Sequence, residues 1–271
     1  MYKYILFLFT FLFWVPLFAQ EYKELYDLPY YTENQNGTYT AEKCRLDIHY
    51  PENAENLTTI LWFHGGGMTQ GAKEIPEALK KKGYIVVGAG YRLSPQISVD
   101  GIIQDAAQSY KWVVDNIKKY GGDPSRIVIS GHSAGGYLAL MLAFKNKYLK
   151  NLNLNNEDIL GVVPFSPQTI THFTARKEQD ITDMQPVIDS LAPLYWVSAE
   201  ASPIVLITGD RELEMLGRYE ENAYLERMLK LAKHPYVKLY ELGGYGHDMT
   251  YPAFPILLRE IEAFEKLSEE N

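Results

Sequence analysis

The hexapeptide Gly131–Gly136, with the sequence Gly-His-Ser-Ala-Gly-Gly, constrains this chain more than any other feature. The β-branched run Ile127–Ile129 before it is typical of a buried strand, and Tyr137–Phe144 after it has Ala and Leu at helical spacing. A Gly-x-Ser-x-Gly sequence between a strand and a helix predicts a sharp, strained turn that exposes the serine hydroxyl. Ser133 is therefore the candidate nucleophile.

A second glycine-rich loop lies upstream. His64–Gly67 follows the apolar run Thr59–Phe63, which has the composition of a buried strand. Glycines in such a loop allow backbone N–H groups to point at one site, where they can stabilise a developing alkoxide. The N–H of Ala134, directly after the candidate nucleophile, would complete this set of donors. We expect His64 to hold the loop rather than to act as a base.

A histidine that could act as a general base lies near the C-terminus. Val237–Leu242 alternates as a strand does and leads into the glycine-rich segment Gly243–Asp248. On this loop His247 could reach across the sheet edge to Ser133. The other histidines are less suitable because of their positions. His49 lies in an early strand, and His132 lies inside the serine turn. His172 lies in an irregular segment, and His234 precedes a proline.

Three carboxylates follow the buried strand Ser202–Gly209 and could orient the imidazole in the way a catalytic acid does. Asp210 is nearest to the end of the strand and has the shorter, commoner side chain for the role. Glu212 lies two residues further on, and Glu214 is the most distant candidate.

Together these motifs resemble an α/β-hydrolase esterase of the hormone-sensitive-lipase and feruloyl-esterase-like group, which includes secreted bacterial carbohydrate esterases. The resemblance runs from about His49 to the C-terminal helix. Its motifs are His64–Gly67, Tyr91–Pro95, Gly121–Pro124, Gly131–Gly136 and Gly246–His247.

The resemblance implies roles for individual residues. It makes Ser133 the nucleophile, His247 the base, and the N–H groups of Gly66, Gly67 and Ala134 the donors of the oxyanion hole. The order of serine, acid and histidine along the chain is also the order of this fold.

The position of the acid departs from the pattern of the group. Its members commonly carry the acid three residues beyond the glycine that ends the strand, which here favours Glu212 over Asp210. The segment Gly209–Glu212 reads Gly-Asp-Arg-Glu where Gly-x-x-Asp is usual. Asp210 would then cap the following turn, a common function of an aspartate after a strand.

The first 20 residues predict an export signal. Lys3 precedes an apolar run, Ile5–Val15, and a small residue, Ala19, comes before a polar stretch. We expect a signal peptide over residues 1–20, a single catalytic domain over residues 21–271, and a secreted or periplasmic protein without stable membrane insertion. A chain of 271 residues with 46% hydrophobic content is long enough to bury the core of a single domain.

Charge and cysteine content exclude several classes. A net charge of −8 argues against nucleic acid as a partner, and the single cysteine, Cys44, excludes an intramolecular disulfide. We expect no metal or cofactor, and the sequence does not indicate an oligomeric state.

Strand and helix signals alternate along the chain, which predicts a mostly parallel sheet with helices on both faces. The alternation stops between Ser166 and Ser202, where we expect a short cap-like insert. Its aromatic pair, Tyr195 and Trp196, could stack on a sugar or an aromatic acyl group, or could pack on the scaffold.

Three classes of function fit these observations. The leading hypothesis is a secreted serine hydrolase of short-chain carboxylic esters, with acetyl or aryl esters of polysaccharides as a substrate class. An amide hydrolase of the peptidase or formamidase type would use the same residues. A catalytically inactive binding protein on this scaffold is the least favoured, because Ser133, His247 and the glycine loop are all present.

Overall fold

A computed structural model of the protein describes residues 20–31, 38–215 and 217–270. The signal peptide predicted over residues 1–20 lies outside these ranges except for Gln20. Within the described ranges, no helix is both long and apolar enough to cross a lipid bilayer.

The centre of the molecule is one sheet of eight strands in the order β1-β2-β4-β3-β5-β6-β7-β8. The first two pairings, β1 with β2 and β2 with β4, are antiparallel, and the remaining strands run parallel. The strands are β1 Tyr22–Pro29, β2 Arg45–Pro51, β3 Leu57–Phe63, β4 Ile85–Ala89, β5 Gly122–His132, β6 Gly161–Phe165, β7 Ile204–Gly209 and β8 Val237–Leu242. This confirms the predicted mostly parallel sheet.

Helices cover both faces of the sheet, as predicted. The residues of α2, α3 and α6 pack in one apolar layer, and those of α7 pack in another. Every residue of α3 is buried, since this helix lies between the sheet and its neighbours. The helices are α1 Tyr39–Lys43, α2 Val99–Asn116, α3 Ala134–Phe144, α4 Lys147–Lys150, α5 Phe173–Glu178, α6 Arg218–Leu231 and α7 Thr250–Glu270.

The turn between β5 and α3 has the strained backbone that its sequence predicts. Ser133 has φ 54° and ψ −114°, a conformation that non-glycine residues rarely adopt. Its N–H donates to the carbonyl of Phe165 at the end of β6, at 2.8 Å. A side chain on Gly135 would collide with the backbone carbonyl oxygen of Phe63, so the turn can close only around small residues.

The insert between β6 and β7 contains α5 and a 3-10 helix, Pro193–Trp196. The amine of Lys145, the residue after α3, lies 5.5 Å from the centre of the Trp196 ring. Trp196 thus has a packing contact on the scaffold, and stacking of Tyr195 or Trp196 on a substrate stays a prediction.

Candidate functional site

The parallel strands bring the predicted site residues to one edge of the sheet. Because parallel strands end at the same edge, the loops after β5, β6, β7 and β8 lie side by side. Ser133 follows β5 and His247 follows β8. The Nε2 atom of His247 is 2.9 Å from the Oγ atom of Ser133, a hydrogen-bond distance. The structure thus brings together the two residues that the sequence predicts as nucleophile and base.

The carboxylate that contacts the imidazole belongs to Glu214. Its Oε1 atom lies 2.5 Å from the Nδ1 atom of His247, and its side chain is fully buried. The second oxygen, Oε2, accepts hydrogen bonds from the hydroxyl of Ser166 at 2.7 Å and from the N–H of Gly209 at 3.2 Å. This carboxylate therefore fixes Nδ1 as the protonated nitrogen and leaves Nε2 free to accept a proton from Ser133.

The hydrogen bonds to Glu214 keep it ionised. Burial by itself would raise the pKa of this carboxyl group. Hydrogen bonds from His247, Ser166 and the N–H of Met215 outweigh burial and hold the pKa at about 2. Glu214 is therefore a carboxylate throughout the neutral range.

The prediction that Glu212 or Asp210 contacts the imidazole is wrong. Glu212 is exposed, and its N–H donates to the Oδ1 atom of Asp210 at 3.0 Å. The Oδ2 atom of Asp210 accepts the N–H of Gly244 at 2.9 Å. Asp210 thus caps the turn and ties it to the loop before His247, which is the structural function expected for it.

A single helical turn explains why the acid lies later in the chain than the pattern predicts. The N–H of Glu214 donates to the carbonyl of Asp210 at 2.8 Å, as residues four apart do in a helix. This turn carries Glu214 back over the end of β7, against Gly209. In an extended loop, Glu212 would lie nearer to the His247 imidazole than Glu214. Spacing along the sequence therefore favours Glu212.

Ser166 is a residue of the site that sequence analysis missed. It directly follows β6, the strand beside β5, and has a left-handed backbone with φ 45°. Its hydroxyl lies 3.1 Å from the Nδ1 atom of His247 as well as 2.7 Å from Glu214. Its carbonyl accepts a hydrogen bond from the buried guanidinium of Arg218. The feature that could have identified Ser166 from the sequence is its position at the end of a central parallel strand.

The glycine loop after β3 has the backbone expected of an oxyanion hole. Gly66 and Gly67 have φ values of 111° and 62°, in the region that favours glycine. Within the described residues, no acceptor forms a hydrogen bond with the N–H groups of Gly66, Gly67 or Ala134. Unpaired N–H groups in a loop and at a helix start are suited to bind a negatively charged oxygen.

Two other histidines support the site without facing the reaction. His64 stacks on Tyr91 with ring centres 4.2 Å apart, and it holds the glycine loop as predicted. The Nε2–H of His132 donates to the backbone carbonyl of His247 at 2.8 Å. Burial lowers the pKa of both His64 and His132 to about 4, so both rings stay neutral near pH 7.

The described part of the chain offers no obvious place for a metal ion. No group of three or more histidine, cysteine, aspartate or glutamate side chains in it is arranged to bind one.

The fold and site together define an α/β-hydrolase, with a serine at the turn after β5, a histidine after β8 and a carboxylate after β7. More specifically, the chain belongs to the BD-FAE family, whose model matches residues 46–217. These findings confirm the resemblance inferred from the sequence motifs.

Individual relatives agree with this assignment. Carboxylesterase NlhH of Mycobacterium tuberculosis is 27% identical over 176 residues, which cover 61% of this chain and 55% of the relative. The chain thus spans about half the length of this curated relative.

Solved structures share the fold over most of their length. A truncated carbohydrate esterase from gut microbiota has a TM-score of 0.72 at 18% identity, with 90% of this chain and 96% of that chain covered. Esterase B from Lactobacillus rhamnosis has a TM-score of 0.73 at 20% identity, with 93% and 91% covered.

Proposed function

We propose that this protein is a serine esterase that hydrolyses carboxylic esters with Ser133, His247 and Glu214 as its triad. One observation carries the proposal. Ser133 Oγ, the His247 ring and the Glu214 carboxylate are joined by contacts of 2.9 and 2.5 Å, at the end of a parallel sheet. This arrangement activates a serine hydroxyl at neutral pH.

In the first half of the reaction, Ser133 Oγ attacks the carbonyl carbon of the ester while His247 Nε2 accepts the hydroxyl proton. Glu214 stabilises the imidazolium that forms, because it is a buried, ionised carboxylate on Nδ1. The carbonyl oxygen becomes an oxyanion, which the N–H groups of Gly66, Gly67 and Ala134 stabilise. Collapse of this intermediate breaks the ester bond, and His247 returns the proton to the departing alcohol.

In the second half, water attacks the acyl group on Ser133. His247 now takes a proton from this water and later gives it back to Ser133 Oγ, so the carboxylic acid leaves and the enzyme is restored. Ser166 contributes indirectly, since its hydroxyl holds the Glu214 carboxylate in line with the imidazole.

The names of the relatives favour esters over amides. Amide hydrolysis can use the same triad, so geometry alone does not separate the two reactions. The curated relative is a carboxylesterase, and the two structural neighbours are esterases, one of which is a carbohydrate esterase. We therefore propose short-chain esters as the substrates, with acetyl or aryl esters of polysaccharides as a candidate class.

Replacing the nucleophile tests the proposal as a whole. Ser133→Ala should reduce hydrolysis of 4-nitrophenyl acetate by at least about a thousandfold, because only the oxyanion donors remain. A fluorophosphonate probe should label the wild-type protein and not this variant. Circular dichroism controls for folding. Activity above a tenth of wild type in the folded variant, or probe labelling of it, would show that the nucleophile lies elsewhere.

Replacing the acid tests the geometry of the triad. Glu214→Gln should lower kcat by about a thousandfold or more, since a neutral amide cannot stabilise the imidazolium. Glu212→Gln is the matched control: it makes the same chemical change two residues away, at an exposed side chain, and should stay within about twofold of wild type. A larger loss in Glu212→Gln than in Glu214→Gln would contradict the assignment.

Acyl-chain length tests the proposed substrate class. The longest helix of the insert is α5, a short element that cannot cover a fatty chain along its length. A fully enclosed chain would contribute about 0.8 kcal/mol for each methylene. We expect no such gain, so kcat/KM for 4-nitrophenyl esters should stay level or fall as the acyl chain lengthens. A steady rise with chain length would make the protein a lipase-like enzyme instead.

We also propose that the protein is exported. The proposal rests on the N-terminal sequence, in which a positive residue, an apolar run and Ala19 occur in the order of a signal peptide. Mass spectrometry of the protein from its native periplasm or medium should show a mature N-terminus after Ala19 or Gln20. Recovery of the full-length chain from the cytoplasm alone would refute export.

A further inference from the structure

A cleft of about 810 Å³ lies beside the triad, between the insert and the start of α6. Two of its lining residues connect it to the site. Phe173 packs against Gly67 of the glycine loop, and Met215 directly follows Glu214. A third, Arg218, donates to the carbonyl of Ser166. The walls of the cleft therefore adjoin the glycine loop and the segments that hold the acid.

One wall of the cleft carries a buried cation without a counterion. Arg176, on α5, is only 3% exposed. Its Nη1 donates to the carbonyl of Gln185 at 2.6 Å, but its Nε has no hydrogen-bond partner. Among the described residues, no carboxylate lies within salt-bridge distance of this guanidinium. A buried charge that lacks a partner is costly, so this feature requires an explanation.

Another buried side chain of the cleft, Glu221, carries a carboxylate, but this carboxylate already has partners. Glu221 forms an ion pair with Arg218, at 3.2 Å, and its other oxygen accepts the N–H groups of Thr169 and Ile170. Among the buried side chains that line the cleft, Arg176 and Arg218 are therefore opposed by Glu221 alone, and Glu221 pairs with Arg218.

The other titratable groups nearby do not supply the missing charge. Asp183 and Glu220 also line the cleft, but both are exposed to solvent at its rim. His172, at the start of α5, is buried, and burial together with Arg218 and Arg176 lowers its pKa well below the usual range. It is neutral and adds no negative charge.

We infer that the substrate supplies this charge: the cleft binds a free carboxylate group on the ester, with Arg176 as its partner. This inference rests on the proposed esterase function and specifies its substrate class as esters that carry a second, ionised carboxyl group. Arg176 lines the cleft, and a guanidinium at such a wall can bind a carboxylate through charge-assisted hydrogen bonds.

The spacing on α5 is consistent with a small substrate. Phe173 and Arg176 are three residues apart and share one face of the helix, with roughly 5–6 Å between their Cβ atoms. Phe173 touches the glycine loop, and Arg176 lies about one helical turn further along α5. A linker of a few carbons between the ester and the carboxylate spans such a distance. The apolar side chains of Ile170 and Phe173 line the path.

The test compares each anionic ester with its neutral methyl ester. Mono-4-nitrophenyl adipate carries the carboxylate on the acyl side, and 4-acetoxybenzoate carries it on the alcohol side. Wild type should favour the anionic member of at least one pair by about tenfold or more in kcat/KM, mainly through KM. The pair that shows the preference identifies the side of the scissile bond that occupies the cleft.

Substitution of Arg176 should remove this preference. In Arg176→Gln the ratio of kcat/KM for the anionic ester to that for the neutral ester should fall about tenfold, and Arg176→Lys should restore part of it. Arg126→Gln is the matched control. Arg126 also has a buried, unpaired Nε, but its guanidinium pairs with Glu265 at 3.0 Å, near the other edge of the sheet. Its ratio should equal that of wild type.

Three outcomes are distinguishable. If wild type hydrolyses the neutral esters but shows no preference for either anionic one, the inference is wrong and the esterase function stands. An unchanged ratio in folded Arg176→Gln overturns it equally. If wild type hydrolyses none of the esters and Ser133 is not labelled by a fluorophosphonate, the proposed function itself fails. If Arg176→Gln does not fold, the inference is still tested by the wild-type preference and by the ratio of kcat/KM values in Arg176→Lys.

Discussion

The site depends on one backbone contact, the approach of the start of α3 to the end of β3. Gly135 lies directly against the carbonyl groups of Phe63 and His64, with no space for a side chain between them. Ser133 and Ala134 lie just before this contact in the chain, and the loop with Gly66 and Gly67 begins just after it. The same contact therefore sets the distance between the proposed nucleophile and both sources of proposed oxyanion donors. The precise packing of backbone on backbone also explains why the turn tolerates strain at Ser133.

The acid side of the site is organised by buried charges. Arg218 and Glu221 form an ion pair within α6, and both also bind the chain after β6: Arg218 through the carbonyl of Ser166, and Glu221 through the N–H of Thr169. This keeps the Ser166 hydroxyl against Glu214. A buried ion pair contributes little net stability, because the loss of hydration opposes the attraction between the charges. Here its role is to position the loop that positions the acid.

The sequence predicted those parts of the site that local patterns encode. Ser133, His247 and the glycine loop are each specified by a strand followed by glycines, so both the fold and these positions could be inferred. The acid could not be inferred, because the turn that brings Glu214 over Gly209 is closed by a backbone hydrogen bond to Asp210. Such a turn leaves little trace in the sequence.

Ser166 and Trp196 were difficult for a different reason. The partners of Ser166 lie 48 and 81 positions away in the chain. Trp196 packs on Lys145, which no periodicity in the insert indicates. Contacts of this kind depend on how the sheet orders its strands, and the sequence of one segment does not contain that information.

The insert has a consequence for how substrates reach the site. It is attached to the rest of the molecule at separate places: the glycine loop, the start of α2, the first turn of α3 and the residue after α3. The bonds are Thr174 to Gly67, Val99 to Glu178, Tyr137 to Leu191 and Lys145 to Ser190. A cap held in this way cannot swing aside as a rigid lid without breaking several of these bonds together. The described part of the insert is therefore a fixed wall of the site, and we do not expect contact with an oil surface to activate the proposed esterase.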